Sequence, residues 1–468
     1  MRDLRLVLFS VLGACSADPG GLVGSDQEIS VTAGCGDELT ATLSATEVAT
    51  APRLAWSVES GATTWVEFSN GAGRTRSAVG VAGASEVEAV LLGIVPGAEF
   101  TWEIFVSDRE GVRCVAAGVG TNGPLTAGVP TVNATVAAGA SPGLTLVPVL
   151  SGASAGDNWL LVFDEEGRVI WAYDTSAAPG GDLSLMTAAF SRDGTGVLFN
   201  GQAESAESEG WIAKVGFDGA VEVMATVTGI HTDFVELDEG RLAALTWEIR
   251  EQGGLRLLGD HVMIVEPGGG ATSLWNSFDS IPFIPGEGWV AGYYPPDATV
   301  VDWSHVNSIS WDEGSNDLMV TMTAQSGVAR IDASTGETEL LYGTDIGSFA
   351  GDPGLTESPH SAQILENGNV LVFNRGDFFE DPAGTCSWAA ELQFDVARGT
   401  ASEVERWEGE DCTLVTFLGQ ARRLPGEVTL VDWTSAGRID QLSASDEPLW
   451  SVSLGVGHAF GYADFLVL

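Results

Sequence analysis

An internal repeat running from Gly143 to the C-terminus restricts the fold of this chain more than any other feature. One unit is an alternating strand, a turn carrying Asp and Gly, and a second strand ending in Trp or Leu. It reads Trp159-Leu-Leu-Val-Phe-Asp-Glu-Glu-Gly-Arg-Val-Ile-Trp171 and recurs from Trp211, His261, Gly327, Ala390 and Gly437. A second unit alternates with it: a polar lead-in, an alternating strand, a Gly turn and another apolar strand. Its copies start near Met186, His231, His305, His360 and Gly419. Both units together span roughly 50–55 residues, with no amphipathic helical stretch among them. Four-stranded units of this length predict a six-bladed β-propeller over residues 143–468. Phe465–Leu468 pairing beside Leu144–Val149 would complete the last unit and remove exposed strand edges. A pair of packed sandwiches is the competing arrangement.

The preceding residues are also β-rich. From Glu28 to Thr121 short alternating or β-branched runs such as Leu54-Ala-Trp-Ser-Val and Glu99-Phe-Thr-Trp-Glu-Ile-Phe-Val alternate with turn signals. Leu91-Leu-Gly-Ile-Val-Pro-Gly-Ala-Glu-Phe-Thr-Trp resembles the turn before a late strand of a fibronectin-III domain, so residues 28–121 are expected to form a small β-sandwich of the fibronectin-III/immunoglobulin kind. Residues 122–142 carry no charged side chain and are rich in Gly, Pro, Ala and Thr, which reads as a linker. The expected fold class is therefore all-β throughout.

The first residues read as targeting signal. Arg2 and Arg5 precede the apolar run Leu6–Leu12, which is too short to span a bilayer. Leu12-Gly13-Ala14-Cys15 then resembles the lipobox of bacterial lipoproteins. That resemblance implies a signal peptide over 1–14, lipidation of Cys15 and a tether over 15–27. Several acyl chains together anchor stably, and Ser16 favours the outer membrane by the same resemblance. Localisation in the cell envelope, on the periplasmic or surface side, is the expectation. Four cysteines remain in two blocks, and Cys35 with Cys114 and Cys386 with Cys412 is the simplest pairing in an oxidising compartment.

Charge removes some functions. The 65 acidic residues against 20 basic ones leave a formal charge of −45, and Lys214 is the sole lysine. Nucleic acid is excluded as an expected partner by long-range repulsion. An anionic substrate would need a locally positive or hydrogen-bond-donating pocket.

Three of the five histidines, His231, His305 and His360, occupy one place in the repeat. Each starts an inner-type strand eight or nine residues before its turn glycine, Gly240, Gly314 or Gly368. Equivalent positions in propeller blades lie at equivalent radii, so the three imidazoles should meet near one mouth of the channel. His360 is offset by one residue, and a one-residue slip reverses side-chain direction in a strand. Converging imidazoles admit two chemistries: a metal held by three neutral nitrogens, or nucleophilic and acid–base catalysis. Asp233 and Asp302 stand where they could orient a ring in either case.

Asp302-Trp303-Ser304-His305-Val306-Asn307-Ser308-Ile309 closely resembles the Asp-Trp-x-His-x-Asn-Ser signature of the bacterial arylsulfate sulfotransferases (ASST). Pro359–Val370 resembles the segment that carries the nucleophilic histidine of that family, and His231–Leu237 resembles its first histidine segment. The resemblance implies transfer of a sulfuryl group from an aryl sulfate to a phenol without a nucleotide donor, cofactor or metal. His360 would take the group covalently, His231 and His305 would bind sulfate oxygens and handle the phenol proton, and Asn307 would bind substrate. Thr323 stands where the family has an arginine after the strand, so it becomes a candidate substrate contact, and Arg375 a candidate source of the charge. The competing reading of the same histidines is a non-catalytic, lipid-anchored propeller that binds a ligand or partner at the cell surface. A metal-dependent hydrolase is a third.

Overall fold

In the computed structural model the described residues are 23–25, 35, 36 and 39–467, without 59–62, 74, 80, 83–85, 109, 110, 152–157, 179–184, 284–289, 292–295, 298, 345, 348, 350–352, 377–384, 410, 411 and 456. Residues 1–14, read as a signal peptide, and Cys15 lie outside the described residues. The chain is all-β, as its sequence predicts, with short 3-10 turns and a single four-residue α-helix among the described residues.

Two antiparallel sheets form first. One orders Val23–Ser25, Thr75–Val79, Thr63–Ser69, Glu99–Asp108 and Gly111–Thr121; the other orders Ala41–Ser44, Arg53–Ser57, Glu86–Val90 and Val81–Ala82. Alternation drives their pairing. In Thr63–Ser69 the buried side chains are Thr64, Val66 and Phe68, and they meet Leu54, Trp56 and Ile104 in one core. Cys35 and Cys114 are bonded, which ties the incoming chain to the last of these strands. Val23–Ser25 falls in the stretch read as tether and is held by pairing with Thr75–Ser77.

Six sheets follow among the described residues, numbered here in chain order; their pairings are antiparallel except where Val301–Asp302 runs parallel to Leu257–Leu258 in the third. Their innermost strands are Asp464–Val467, Ala188–Phe190, Ile230–Glu236, Val306–Asp312, Pro359–Ile364 and Gln420–Leu424. Each sheet packs face to face on the next. Leu160 and Val162 of the first meet Val197 and Phe199 of the second. Ile212 of the second meets Ala244 of the third, and Leu245 of the third meets Val320 of the fourth. Val328 of the fourth meets Val372 of the fifth, Phe373 of the fifth meets Trp433 of the sixth, and Trp450 of the sixth meets Phe163 of the first. The circuit closes, which makes this part of the molecule a β-propeller. Burial on both faces explains why strands such as Trp159–Phe163 and Val370–Asn374 are apolar without alternation.

Both ends of the ring meet in the first sheet. Asp464–Val467 pairs antiparallel with Gly143–Leu146, Phe465 opposite Thr145. Within residues 122–142, read as a linker, Val132–Val136 is the outermost strand of the sixth sheet and pairs with Pro448–Leu454. Its β-branched Val-Asn-Ala-Thr-Val sequence suits that edge.

Candidate active site

His231, His305 and His360 sit where the innermost strands of the third, fourth and fifth sheets begin, and all three line one cavity of about 110 Å³. Asn307 and Arg375 line it too, with Trp247 and Phe417. The one-residue offset of His360 does not turn it away, because strand register is broken at each of these positions. Pairing shifts between Ile230 and Phe234, between Val306 and Ser308, and between His360 and Ala362. Thr232, His305 and Ser361 adopt left-handed φ values of 41°, 46° and 55°. A bulge re-aims the side chains beside it. Left-handed backbone at a non-glycine residue costs on the order of 1–3 kcal/mol and persists only where surroundings enforce it. Beside His305 a carboxylate does so: Asp260 Oδ2 accepts from the Val306 N–H at 2.9 Å, and farther along that strand Asp233 Oδ2 accepts from the Ile309 N–H at 2.8 Å.

His360 is buried and spans two partners. Its Nδ1 lies 3.0 Å from the Tyr462 hydroxyl, and its Nε2 lies 3.1 Å from Asn307 Nδ2. Burial, reinforced by the Arg375 guanidinium and by His305, holds its pKa well below the ordinary histidine range. The ring is therefore neutral near pH 7, and a neutral imidazole carries a nucleophilic lone pair.

His305 and His231 are each oriented by a buried aspartate. His305 Nδ1 is hydrogen-bonded to Asp302. Burial raises the Asp302 carboxyl above its usual range, although His305 draws it down and Asp260 adds to the rise. His231 Nε2 lies 3.0 Å from Asp260 Oδ1 and its Nδ1 lies 3.1 Å from the Thr232 hydroxyl, while its face stacks on Trp247 at 4.8 Å. For Asp260 burial opposes ionisation, but bonds from His231, the Ser304 hydroxyl and the Val306 N–H outweigh it and hold the carboxyl below its usual range. The three imidazoles do not close into a metal-holding group. Among the described residues the acidic or histidine clusters tight enough for one are Asp164–Glu166 and Asp317, Asp332 and Glu339, both away from this cavity.

Asn307 and Thr323 are coupled. Asn307 Oδ1 accepts from the Thr321 hydroxyl, and Asn307 Nδ2 reaches Thr323 Oγ1 and the Pro359 carbonyl, the latter at 3.3 Å. Thr323 does not line the cavity: its hydroxyl donates to the Pro359 carbonyl at 3.1 Å and braces Asn307 from behind. Arg375 does line it, and it is buried rather than solvated. Its Nη1 reaches the Thr416 carbonyl at 3.4 Å, and its own carbonyl accepts from the Ser387 hydroxyl at 2.9 Å. Ser387 in turn holds the Val415 N–H at 2.8 Å. The Cys386–Cys412 disulfide closes this same corner, so it staples the segment Thr416–Leu418 over the site.

Asp260, Trp247 and Tyr462 belong to the site and were not singled out by the sequence. Tyr462 had a signal. It stands two residues before the innermost strand of the first sheet, near the place the histidines hold in theirs, and recognising Phe465–Leu468 as the closing strand points to it.

This fold and site define a β-propeller with a pocket lined by three histidines, Arg375 and the aspartates Asp260 and Asp302. The family model described as arylsulfotransferase (ASST) matches residues 130–405, more than half of the 468-residue chain. The chain belongs to the arylsulfotransferase family. The match takes in all three cavity histidines and Arg375 and ends before the innermost strand of the sixth sheet. No curated protein sequence matches the chain. Among solved structures, a protein of unknown function from Bacteroides caccae is 13% identical over 70% of this chain and 99% of its own, with a TM-score of 0.43. A streptogramin B lyase is 12% identical over 69% and 98%, with a TM-score of 0.38. A putative 6-phosphogluconolactonase from Bacteroides uniformis is 11% identical over 70% and 100%, with a TM-score of 0.39. Likenesses this weak say nothing of chemistry.

Proposed function

We propose that this arylsulfotransferase moves a sulfuryl group from an aryl sulfate ester to a phenolic acceptor through a sulfohistidine at His360. In the first step the Nε2 lone pair of His360 attacks sulfur, the N–S bond forms, and the bond from sulfur to the aryl oxygen breaks. The departing aryl oxide takes a proton from His305, which Asp302 orients. In the second step His305 removes the proton of an incoming phenol, the new phenoxide attacks sulfur, and the N–S bond breaks. Two displacements through a nucleophile replace one difficult transfer. Sulfuryl transfer resembles phosphoryl transfer, where positioning and charge stabilisation do most of the work.

The observation that carries this reading is a buried, neutral His360 with Nε2 directed at Asn307 in a cavity that Arg375 also lines. Arg375 supplies from the fifth sheet the positive charge that Thr323 cannot supply from the fourth. A cavity of about 110 Å³ suits a sulfuryl head and is smaller than the roughly 150 Å³ cavity that takes a benzene ring. The aryl group therefore extends toward Trp247, Phe417 and Met186, which contribute the apolar part of the lining. Both nitrogens of His231 face protein partners, which fits a wall and charge role better than proton transfer.

The test is release of phenol from a chromogenic aryl sulfate. It should depend on an added phenolic acceptor and fall by about 10³-fold or more in His360→Ala. Mass spectrometry of enzyme quenched with donor alone should find one added SO3 on the peptide containing His360. Turnover retained in His360→Ala, or no such adduct, defeats the reading. The lipobox-like Leu12–Cys15 further supports an envelope-anchored enzyme. Incorporation of labelled palmitate in the native host, lost in Cys15→Ser, checks that anchor.

A further inference from the structure

We infer that Tyr462 is a positioning residue that fixes the proton of His360 on Nδ1 and so presents Nε2 as the bare, nucleophilic nitrogen. The inference rests on the reading of His360 as the nucleophile, and it adds what selects the reacting atom.

Two hydrogen bonds choose the same tautomer independently. The Tyr462 hydroxyl has one proton, and it lies 2.9 Å from the main-chain carbonyl of Asn307. A carbonyl only accepts, so the proton goes there. Toward His360 Nδ1, 3.0 Å away, the same hydroxyl can then only accept, and Nδ1 must carry hydrogen. On the other side of the ring, Nε2 faces Asn307 Nδ2 at 3.1 Å. That end of the amide is the NH2 group, because it also faces the Pro359 carbonyl at 3.3 Å while Oδ1 receives the Thr321 hydroxyl. An NH2 group cannot accept, so a hydrogen on Nε2 would have no partner there, whereas a bare Nε2 can share one of the two hydrogens that Asn307 also directs at Thr323 Oγ1 and the Pro359 carbonyl. A donor turned away or displaced by a sulfate oxygen exposes that lone pair to sulfur.

The tyrosine is held well enough to act this way. Its N–H donates to the Met186 carbonyl at 2.8 Å, and the Gly461 N–H donates to the Pro148 carbonyl at 2.8 Å. A Cβ at position 461 would fall 2.4 Å from the Met186 carbonyl oxygen, so only glycine allows the chain this close. The phenol ring is buried; it lines a second cavity, and its hydroxyl meets His360, which lines the first. When sulfur bonds to Nε2 the ring gains positive character, and the acceptor oxygen on Nδ1–H stabilises it in place.

Full-length protein labelled with [15N]histidine decides the matter by two-bond proton–nitrogen correlation, with the His360 signals assigned by their absence in His360→Gln. Wild type should show a protonated Nδ1 and a bare Nε2 on a neutral ring at pH 7. Tyr462→Phe leaves the Asn307 contact alone to hold the tautomer, so a measurable fraction of the ring should carry its proton on Nε2, and kcat should fall by about 10- to 100-fold with KM changed far less. A wild-type ring protonated on Nε2 overturns the inference whether or not the variant folds. So does Tyr462→Phe that keeps both the wild-type tautomer and kcat. Full turnover in His360→Ala removes the nucleophile assignment instead, and the wild-type tautomer still reports on Tyr462.

Discussion

Asp233 shows how one residue beneath the site sets a cost for the whole fold. It lies in the channel wall, accepting from the Ile309 N–H, the Phe234 N–H at 2.9 Å and the Thr187 hydroxyl at 3.0 Å. Complete burial outweighs those bonds and pushes its carboxyl up to about 7. The folded state therefore keeps a proton that the unfolded chain releases from about pH 4 upward. The contribution of Asp233 to stability is fully present below about pH 4, is lost as pH rises to about 7, and is level above that. Between pH 5 and 8 the wild type should lose about 2–3 kcal/mol through this group, and Asp233→Asn should flatten that slope. Urea unfolding of both proteins at the two pH values checks it, and equal slopes would contradict it. At this scale much of the site was legible. His231, His305, His360 and Asn307 announce themselves by repeat position and by one motif. Asp260 and Tyr462 do not, because each acts across the ring: Asp260 holds a backbone N–H 46 residues away, and Tyr462 meets a ring 102 residues away. Nothing local encodes the Asp260 pairing, and the place of Tyr462 shows only once the closing strand Asp464–Val467 is recognised.

Among the structural elements, the segment Thr416–Leu418 depends on a covalent staple. Cys386–Cys412 closes a loop with a sequence separation of 26, worth about 3 kcal/mol in a chain-entropy account. Leu418 adopts a left-handed φ of 54° beside Gly419, where a Cβ would fall 2.1 Å from the Phe373 ring, so the segment has one close-fitting course. Replacing both cysteines by serine should raise KM for the aryl sulfate by about 10-fold as Phe417 and Leu418 loosen, along with the loss of stability. The same double replacement at Cys35 and Cys114 should lower stability and leave KM unchanged. Steady-state kinetics of the two variants side by side is the measurement, and equal effects on KM would refute the assignment. The disulfide blocks were legible from cysteine spacing. The bulges at Thr232, Asn307 and Ser361 were not, because contacts from other sheets meet the chain there, such as the Asp260 carboxylate on the Val306 N–H and the Ala421 carbonyl on the Ser361 hydroxyl. The strand Val132–Val136 was hidden by its flanks, since Gly, Pro and Ala on both sides read as linker.

For the whole molecule, the formal charge of −45 is the dominant long-range term. Like charges on a compact body repel, and salt screens them with a length of about 10 Å at 0.1 M and about 3 Å at 1 M. Thermal stability should therefore rise by several degrees between about 0.05 and 1 M NaCl, as followed by scanning calorimetry. A flat or falling Tm would show that its ion pairs, such as buried Arg76–Glu165, outweigh the net repulsion. The ring itself was legible in outline because four of its six sheets are each encoded by one local stretch of chain. The closure that matters most joins opposite ends: Asp464–Val467 seals onto Gly143–Leu146, and Tyr462 arrives with it. On the tautomer inference, a nascent or nicked chain lacking Tyr462 and Asp464–Val467 holds all three histidines yet leaves its nucleophile undirected. Reactivity is then a late event in the life of the molecule, switched on by the same stroke that finishes its architecture.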